Sequence, residues 1–392
     1  MTSGGGPALL VVDDIEDNRA MLIARLGRLG YTDVAEAENG RVALDLLGGR
    51  RFDLVLLDVM MPELNGYQVL ERLRADGRLT HLPVIMVSAL AEMESVVRCI
   101  ELGAEDYLTK PINATLLKAR VGASLEKKRL RDELSFHMER MERELASARD
   151  IQLAMVPSVF PEPTAASPVE IFATLEPARQ VGGDLYDVFA LESGSLCFVV
   201  ADVSDKGAPA ALFMARAKTL TRLVATLLQP TNGNPPGPSE ILARVNAELC
   251  RDNDQGMFVT LFLGLLDPAS GKLAFANAGH TAPYVLSPRA GVAALAGARG
   301  KPLGIRPTLV WESTESALAP GDGLFLFTDG ITEAMDPGGE LFSEERLETA
   351  LAALAGSAPR AVVLGVLEEV RRFAAGAPQS DDIAALALRR TE

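Results

Sequence analysis

Cysteine is scarce in this chain of 392 residues: Cys99, Cys197 and Cys250 are the only three. They are odd in number and no two lie close together, so neither a disulfide framework nor a zinc knuckle is indicated. A reducing cytoplasm fits this usage, with the thiols serving as small core residues. Basic residues are also in deficit. Lys and Arg total 38 against 53 Asp and Glu, a formal net charge of −15, which opposes binding to a polyanion and disfavours a nucleic-acid output. Long apolar runs are absent near the start, where Leu9 to Val12 is far too short for a signal-peptide core or a membrane span. A soluble cytoplasmic protein without a membrane partner is expected. What is present is ordinary globular composition, 48% hydrophobic and 23% charged. The length suits two domains and a connector.

Residues 1–121 alternate short apolar runs with helical segments. Leu9-Leu10-Val11-Val12, Leu54-Val55-Leu56-Leu57 and Val84-Ile85-Met86-Val87 read as buried strands, and the alternation predicts an α/β domain with a parallel sheet covered on both faces. Residues 122–156 are dense in Glu, Arg, Lys, Leu and Met, with neither Pro nor Gly between 123 and 155, which predicts one uninterrupted helix. Leu134, Met138, Met141, Leu145, Ala148, Gln152 and Met155 recur in alternating steps of four and three. This is a heptad seam, broken only by Gln152, and it predicts a coiled-coil homodimer through 134–155. Pro157, Pro161, Pro163 and Pro168 end the helix. Residues 157–392 are strand-rich with few long helices, predicting antiparallel sheets flanked by helices. Gln229 to Ser239, with four prolines and two glycines, reads as a surface loop.

Two constellations carry chemistry. In the first, Asp13 and Asp14 follow the first strand and Asp58 the third, and in such sheets ligands gather at the carboxyl ends of the strands. Three carboxylates there make a hard oxygen cage suited to Mg²⁺. Ser88 and Lys110 end two further strand-like runs and would join them. Attack by the Asp58 carboxylate on a phosphoryl group needs a metal and a cation on the transferring oxygens, roles that suit Mg²⁺ and Lys110.

Leu-Leu-Val-Val-Asp-Asp at 9–14, Leu-Leu-Asp-Val-Met-Met-Pro-Glu-Leu-Asn-Gly at 56–66, Val-Ser-Ala at 87–89 and Asp-Tyr-Leu-Thr-Lys-Pro at 106–111 together resemble a CheY-type receiver domain. The resemblance implies a doubly wound five-stranded sheet, Asp58 as phosphoacceptor from a sensor histidine kinase or phosphotransfer protein, and Mg²⁺ held by Asp13, Asp14, Asp58 and the Met60 carbonyl. It also implies Ser88, Tyr107 and Lys110 as the switch residues and a cis Lys110–Pro111 bond.

The second constellation is four aspartates in small or Gly-rich settings: Gly182-Gly183-Asp184, Ala201-Asp202-Val203, Thr328-Asp329-Gly330 and Ser380-Asp381-Asp382. With no Cys or His among them, an oxygen-rich Mg²⁺ or Mn²⁺ site is favoured over zinc. Two ions could share and acidify a water for in-line attack on a phosphomonoester. Arg179 to Asp184, Ala201 to Gly207, Asn277 to His280, Pro302 to Gly304, Phe327 to Glu333 and Asp381 to Ile383 resemble the SpoIIE/RsbU branch of the metal-dependent PPM phosphatases. The resemblance implies an α+β sandwich of two antiparallel sheets flanked by helices and two Mn²⁺ or Mg²⁺ ions. Asp202 would bridge them with help from the Val203 carbonyl, Asp184, Asp329 and Asp381 would complete the cage, and Asp202 and Asp329 are the catalytic pair. It further implies a phosphoserine or phosphothreonine protein as substrate, of the STAS-type anti-anti-sigma kind. Asp205 stands where that family has Gly, in a turn that favours positive φ, and Ala384 replaces a Thr. His280 reads as a structural hydrogen-bonding residue at a turn rather than a general acid. The combined expectation is a response regulator whose phosphorylation controls a phosphatase; the alternative is a catalytically weak adaptor that binds a sigma-factor regulator.

Overall fold

The computed structural model describes residues 6–89, 93–165, 167–228 and 236–391; most of the loop expected over Gln229–Ser239 lies outside the described residues. The chain forms two compact units, Met1–Met141 and Glu142–Glu392.

In the first unit the elements are β1 (Leu9–Val12), α1 (Glu16–Arg28), β2 (Val34–Ala37), α2 (Gly40–Gly49), β3 (Leu54–Asp58), α3 (Gly66–Ala75), β4 (Val84–Ser88), α4 (Met93–Glu101), β5 (Asp106–Thr109) and the start of α5 (Ala114–Met155). The strands pair in parallel in the order β2-β1-β3-β4-β5. The apolar runs are continuous because both faces are covered. Leu9, Val11, Leu54, Leu56, Ile85 and Val87 pack on Leu22 and Leu26 of α1 and Leu117 and Val121 of α5. Their neighbours Leu10, Val12, Val55, Leu57, Val84 and Met86 pack on Ala43 and Leu47 of α2 and Val69, Leu70 and Leu73 of α3. Helix starts are set locally. The Asn39 side chain accepts from the Arg41 and Val42 amides at 3.0 and 2.9 Å, and Asn65 and Gln68 form a reciprocal capping box. The strand order reverses between β1 and β3, so Asp13, just after β1, and Asp58, at the end of β3, share the crevice mouth.

The second unit contains β6 (Val169–Glu176), β7 (Leu185–Ala190), β8 (Leu196–Val203), α6 (Ala208–Leu227), α7 (Pro238–Leu249), β9 (Val259–Leu266), β10 (Lys272–Ala278), β11 (Tyr284–Ser287), β12 (Gly291–Ala294), β13 (Thr314–Ala317), β14 (Gly323–Phe327), α8 (Ser343–Leu354), α9 (Pro359–Ala374) and β15 (Ile383–Arg390). Two antiparallel sheets, β13-β10-β9-β8-β7 and β12-β11-β14-β15-β6, pack face to face. Between them Phe198, Phe262 and Phe275 meet Leu324, Leu326, Leu386 and Leu388, with Phe262 and Phe275 stacked at 5.3 Å. Period-two alternation sends Cys197, Val199 and Ala201 outward onto α6 and α7, and Phe325, Phe327, Ala385 and Ala387 outward onto α8 and α9. Each sheet is therefore apolar on both faces at its centre, which is why Leu196–Val200, Leu261–Leu266 and Gly323–Phe327 read as unbroken runs.

Helix α5 is 42 residues long, about 63 Å at the usual rise. It begins at Ala114, so the last receiver helix and the 122–155 stretch are one element. Leu134, Met138 and Met141 of the seam are exposed, Leu145 is half-buried, and Gln152 is only 4% exposed. Among the described residues no helix is long and apolar enough to cross a membrane.

Candidate functional site

At the mouth of the parallel sheet, Asp13, Asp14 and Asp58 each place one carboxylate oxygen within 4.8 Å of the others. That trio fits a hard divalent cation. Asp13 is fully buried and oriented by the Ile15 amide at 3.0 Å and the Asn18 side chain at 3.0 Å. Lys110 reaches in from beyond β5, with Nζ 2.7 Å from Asp13 and 3.1 Å from Asp58. Burial pushes the Asp58 carboxyl up to about 6, with Lys110 opposing and the Asp13 charge reinforcing the shift. Burial works to lower the Lys110 pKa, but its hydrogen bonds and the charges of Asp13 and Asp58 outweigh it and raise the value. Ser88 is buried at the end of β4, and its carbonyl accepts from the Lys110 amide at 2.7 Å. Tyr107 sits half-buried in β5. The Met60 side chain is exposed two residues past β3, and the Lys110–Pro111 peptide is cis.

The second acidic centre forms where the two antiparallel sheets approach one another. Asp184 immediately precedes β7 and is 2% exposed. Asp202 lies within β8, one residue before buried Val203; Asp329 follows β14 with Thr328 between, and Asp381 lies two residues before β15. Burial, followed by the Asp202 charge, holds the Asp184 carboxyl well above the usual carboxylate range. Burial and the Asp329 charge push Asp202 up to about 7, and burial with Glu333 and Asp381 raises Asp329. Asp184 therefore feels the charge of Asp202, and Asp202 those of Asp329 and Asp381. Among the described residues this group does not close to within 4.8 Å as the first trio does. An all-oxygen donor set whose charges repel in a dry setting fits divalent cations.

Several neighbours had no distinguishing signal in the sequence. Thr328 donates to Asp184 at 2.5 Å, and its hydroxyl accepts from the Ala384 amide at 2.8 Å. Asp382 is buried and accepts from the Ala178 and Gly183 amides, both at 2.8 Å. A Cβ on Gly330 would lie 1.9 Å from the Asp382 carbonyl oxygen, so the residue after Asp329 has room only for hydrogen. Lys206 pairs with Asp381 at 2.8 Å and donates to the Ser380 carbonyl at 3.0 Å. Asp205 adopts φ +76°, the conformation that its turn was expected to favour, and its carboxylate accepts from the Lys206 amide at 2.8 Å. Asp accepts this region more readily than most residues.

His280 is 2% exposed. The Asn277 side chain ties down its amide at 2.8 Å and its carbonyl at 3.1 Å, and Nδ1 lies 2.8 Å from the Thr260 hydroxyl. Nε2 faces the Phe327 carbonyl without a well-aligned hydrogen bond. Burial lowers the His280 pKa to about 3, with the Arg299 charge acting in the same direction. This is a neutral turn-closing histidine. Above the ordinary value of 6.5 it is neutral in both folded and unfolded chains, so it contributes no pH dependence. Between 6.5 and about 3 only the unfolded chain binds the proton, so stability falls as pH falls, by up to about 1.4 kcal/mol per pH unit. Melting of the full chain followed from pH 7 to 4.5 is expected to show a steeper fall for wild type than for His280→Asn; parallel curves would exclude this role.

Two separate stretches of the chain match known families. The family model described as Stage II sporulation protein E (SpoIIE) matches residues 192–391, and the response regulator receiver domain matches 9–122. Protein IcfG of Synechocystis sp. is 32% identical over 63% of this chain and 41% of its own length, so the chain spans well under two thirds of that relative. Chemotaxis protein CheY of Pseudomonas aeruginosa is 37% identical over 30% of this chain and 96% of its own. The solved SiaA-PP2C domain of Pseudomonas aeruginosa shares the fold at TM-score 0.56 and 23% identity, covering 64% of this chain and 98% of that one. The chain thus belongs to the SpoIIE family, its C-terminal unit sharing the fold of a PP2C domain and its N-terminal unit a response regulator receiver domain.

Proposed function

We propose that the protein is a response regulator in which phosphorylation of Asp58 controls hydrolysis of phosphoserine or phosphothreonine on a partner protein. The observation that carries the reading is the convergence of Asp184, Asp202, Asp329 and Asp381, with burial and mutual repulsion raising the pKa of the first three. In this reading those four carboxylates and the Val203 carbonyl hold two Mn²⁺ or Mg²⁺ ions, and Asp13, Asp14, Asp58 and the Met60 carbonyl hold one Mg²⁺. Bound ions at the C-terminal centre supply Lewis acidity and an acidified water for attack on a phosphomonoester. The chain's own contribution is placement. Thr328 orients Asp184, and Asp382 anchors the adjoining amides. At the receiver, Lys110 stands beside Asp58 to neutralise a transferring phosphoryl group.

The substrate class proposed is a STAS-type anti-anti-sigma protein, and the phosphoryl source a sensor histidine kinase or phosphotransfer protein; the pairing of the two families in one chain supports the reading. The deciding test is Mn²⁺-dependent phosphate release from a phosphoserine protein by wild type and by Asp202→Asn. One feature favours a second reading, an adaptor of low activity: Lys206 already neutralises Asp381. Equal release by the two proteins selects the adaptor.

Exposure of Leu134, Met138 and Met141 along one helical stripe supports pairing of α5 with a second copy. Sedimentation equilibrium is expected to give a dimer for wild type and a monomer for a Met138→Glu, Met141→Glu double variant. A monomeric wild type at micromolar concentration excludes the pairing.

A further inference from the structure

The one polar member of the heptad seam is not a defect in it. Gln152 lies in the last turn of α5 and is 4% exposed. Its side-chain amide donates from Nε2 to the Gly182 carbonyl at 2.6 Å, while Oε1 accepts from the Gly182 amide at 3.1 Å. A primary amide that meets both polar groups of one residue holds that residue at two points, as a strand neighbour would. Gly182 is also confined on its other side, since a Cβ there would lie 1.9 Å from the Asp382 carboxylate. The next residue, Gly183, donates to Asp382 at 2.8 Å, and the one after, Asp184, accepts from Thr328 at 2.5 Å. Three successive residues of this loop are therefore each held by a different side chain. Asp382 and Thr328 belong to segments flanking β15 and β14 within the sandwich, whereas Gln152 belongs to α5.

We infer that Gln152 is a positioning residue: it fixes the Gly182-Gly183-Asp184 loop and makes the placement of Asp184 answer to the register of α5. The inference rests on the proposed role of Asp184 in the C-terminal centre. Gln152 falls in the same alternating four-and-three series as Leu134, Met138, Met141 and Leu145. The helix face that the seam turns toward a second copy is thus the face that ends on Gly182. One residue of axial slip along α5 displaces a side chain by about 1.5 Å and rotates it by about 100°. A displacement of that size removes both bonds to Gly182, because hydrogen bonds weaken steeply with distance and angle. Pairing of helices fixes register, so a change in pairing upstream is felt at a loop two residues from Asp184.

The test uses the full chain and hydrogen exchange read by mass spectrometry, with peptides covering 179–187 and a control peptide from β9. Gln152→Met keeps the length and volume and removes both bonds; Gln152→Glu keeps the acceptor and loses the donor. Exchange in 179–187 is expected to rise roughly tenfold in the Met variant with β9 unchanged. In the same variant kcat falls roughly tenfold while KM stays within about twofold, the pattern of a lost placement rather than lost binding. Beryllofluoride, a phosphoryl mimic at Asp58, is expected to alter exchange of 179–187 in wild type and to leave the Met variant unresponsive. Unchanged exchange in the Met variant overturns the inference, and so does an equal beryllofluoride response in both proteins. If the Met variant loses protection at β9 as well, the same comparisons on Gln152→Glu decide. A wild type that hydrolyses nothing, yet shows the exchange difference, leaves the positioning role standing and removes the phosphatase reading.

Discussion

Asp202→Asn is expected to lower Mn²⁺-dependent phosphate release by at least about a thousandfold, a loss of roughly 4 kcal/mol of transition-state stabilisation. The substitution keeps the shape of the side chain and removes the charge of the carboxylate that lies between Asp184 and Asp329 in the electrostatic network. Without that charge the cage holds a divalent ion poorly and no longer aligns a water with the phosphoryl group. Stability should move in the opposite direction. Asp202 is raised to about 7 because it is buried among like charges, so in metal-free protein the neutral amide relieves repulsion. The melting temperature of Asp202→Asn without metal should equal or exceed that of wild type, and the increase in melting temperature on adding Mn²⁺ should vanish. Calorimetry with and without Mn²⁺ separates these effects from simple unfolding. A variant that retains wild-type turnover, or that still gains stability from Mn²⁺ to the same extent, sinks the assignment.

Much of this was legible in residue order because the chemistry sits where strands end. The runs at Leu9–Val12, Leu54–Leu57 and Val84–Val87 announced strands covered on both sides, and the carboxylates after the first and third had one place to meet. The sandwich was legible for the same reason: Leu196–Val200, Leu261–Leu266 and Gly323–Phe327 are apolar throughout because helices cover the face that the opposite sheet does not. What stayed hidden depends on side-chain direction across large sequence separations. Nothing local distinguishes Asp381, which meets Lys206, from Asp382, which turns inward to two backbone amides. Lys206 looks like a solvated lysine until the loop with its positive-φ Asp205 brings it back over Asp381. Gln152 interrupts an apolar repeat, and only a partner 30 residues away explains why an amide is there. The boundary at 121 marked a change in composition, whereas the helix begins at Ala114 and carries no break there.

Asp58→Asn is expected to abolish phosphoryl uptake altogether. With Mg²⁺ and a small-molecule phosphodonor such as acetyl phosphate, wild type should take up close to one equivalent and the variant none, as read by intact mass. The selectivity has a structural cause. Asp13 is engaged by Lys110, the Ile15 amide and Asn18, and Asp14 is exposed. Asp58, at 4% exposure with Lys110 at 3.1 Å, has both the shielding and the cation that attack on phosphorus requires; Asp13 shares them, but its carboxylate is held by the Ile15 amide and Asn18. An amide in its place cannot form the acyl phosphate, and neither neighbour is placed to substitute. Residual labelling of Asp58→Asn at the wild-type level would move the acceptor elsewhere. The same variant also isolates the coupling: beryllofluoride should change the phosphatase rate of wild type and leave that of Asp58→Asn where it was. Because α5 runs unbroken from the face packed on β1, β3 and β4 to Gln152, a rate that ignores the occupied receiver would mean that the helix joins two independent activities rather than one controlled by the other.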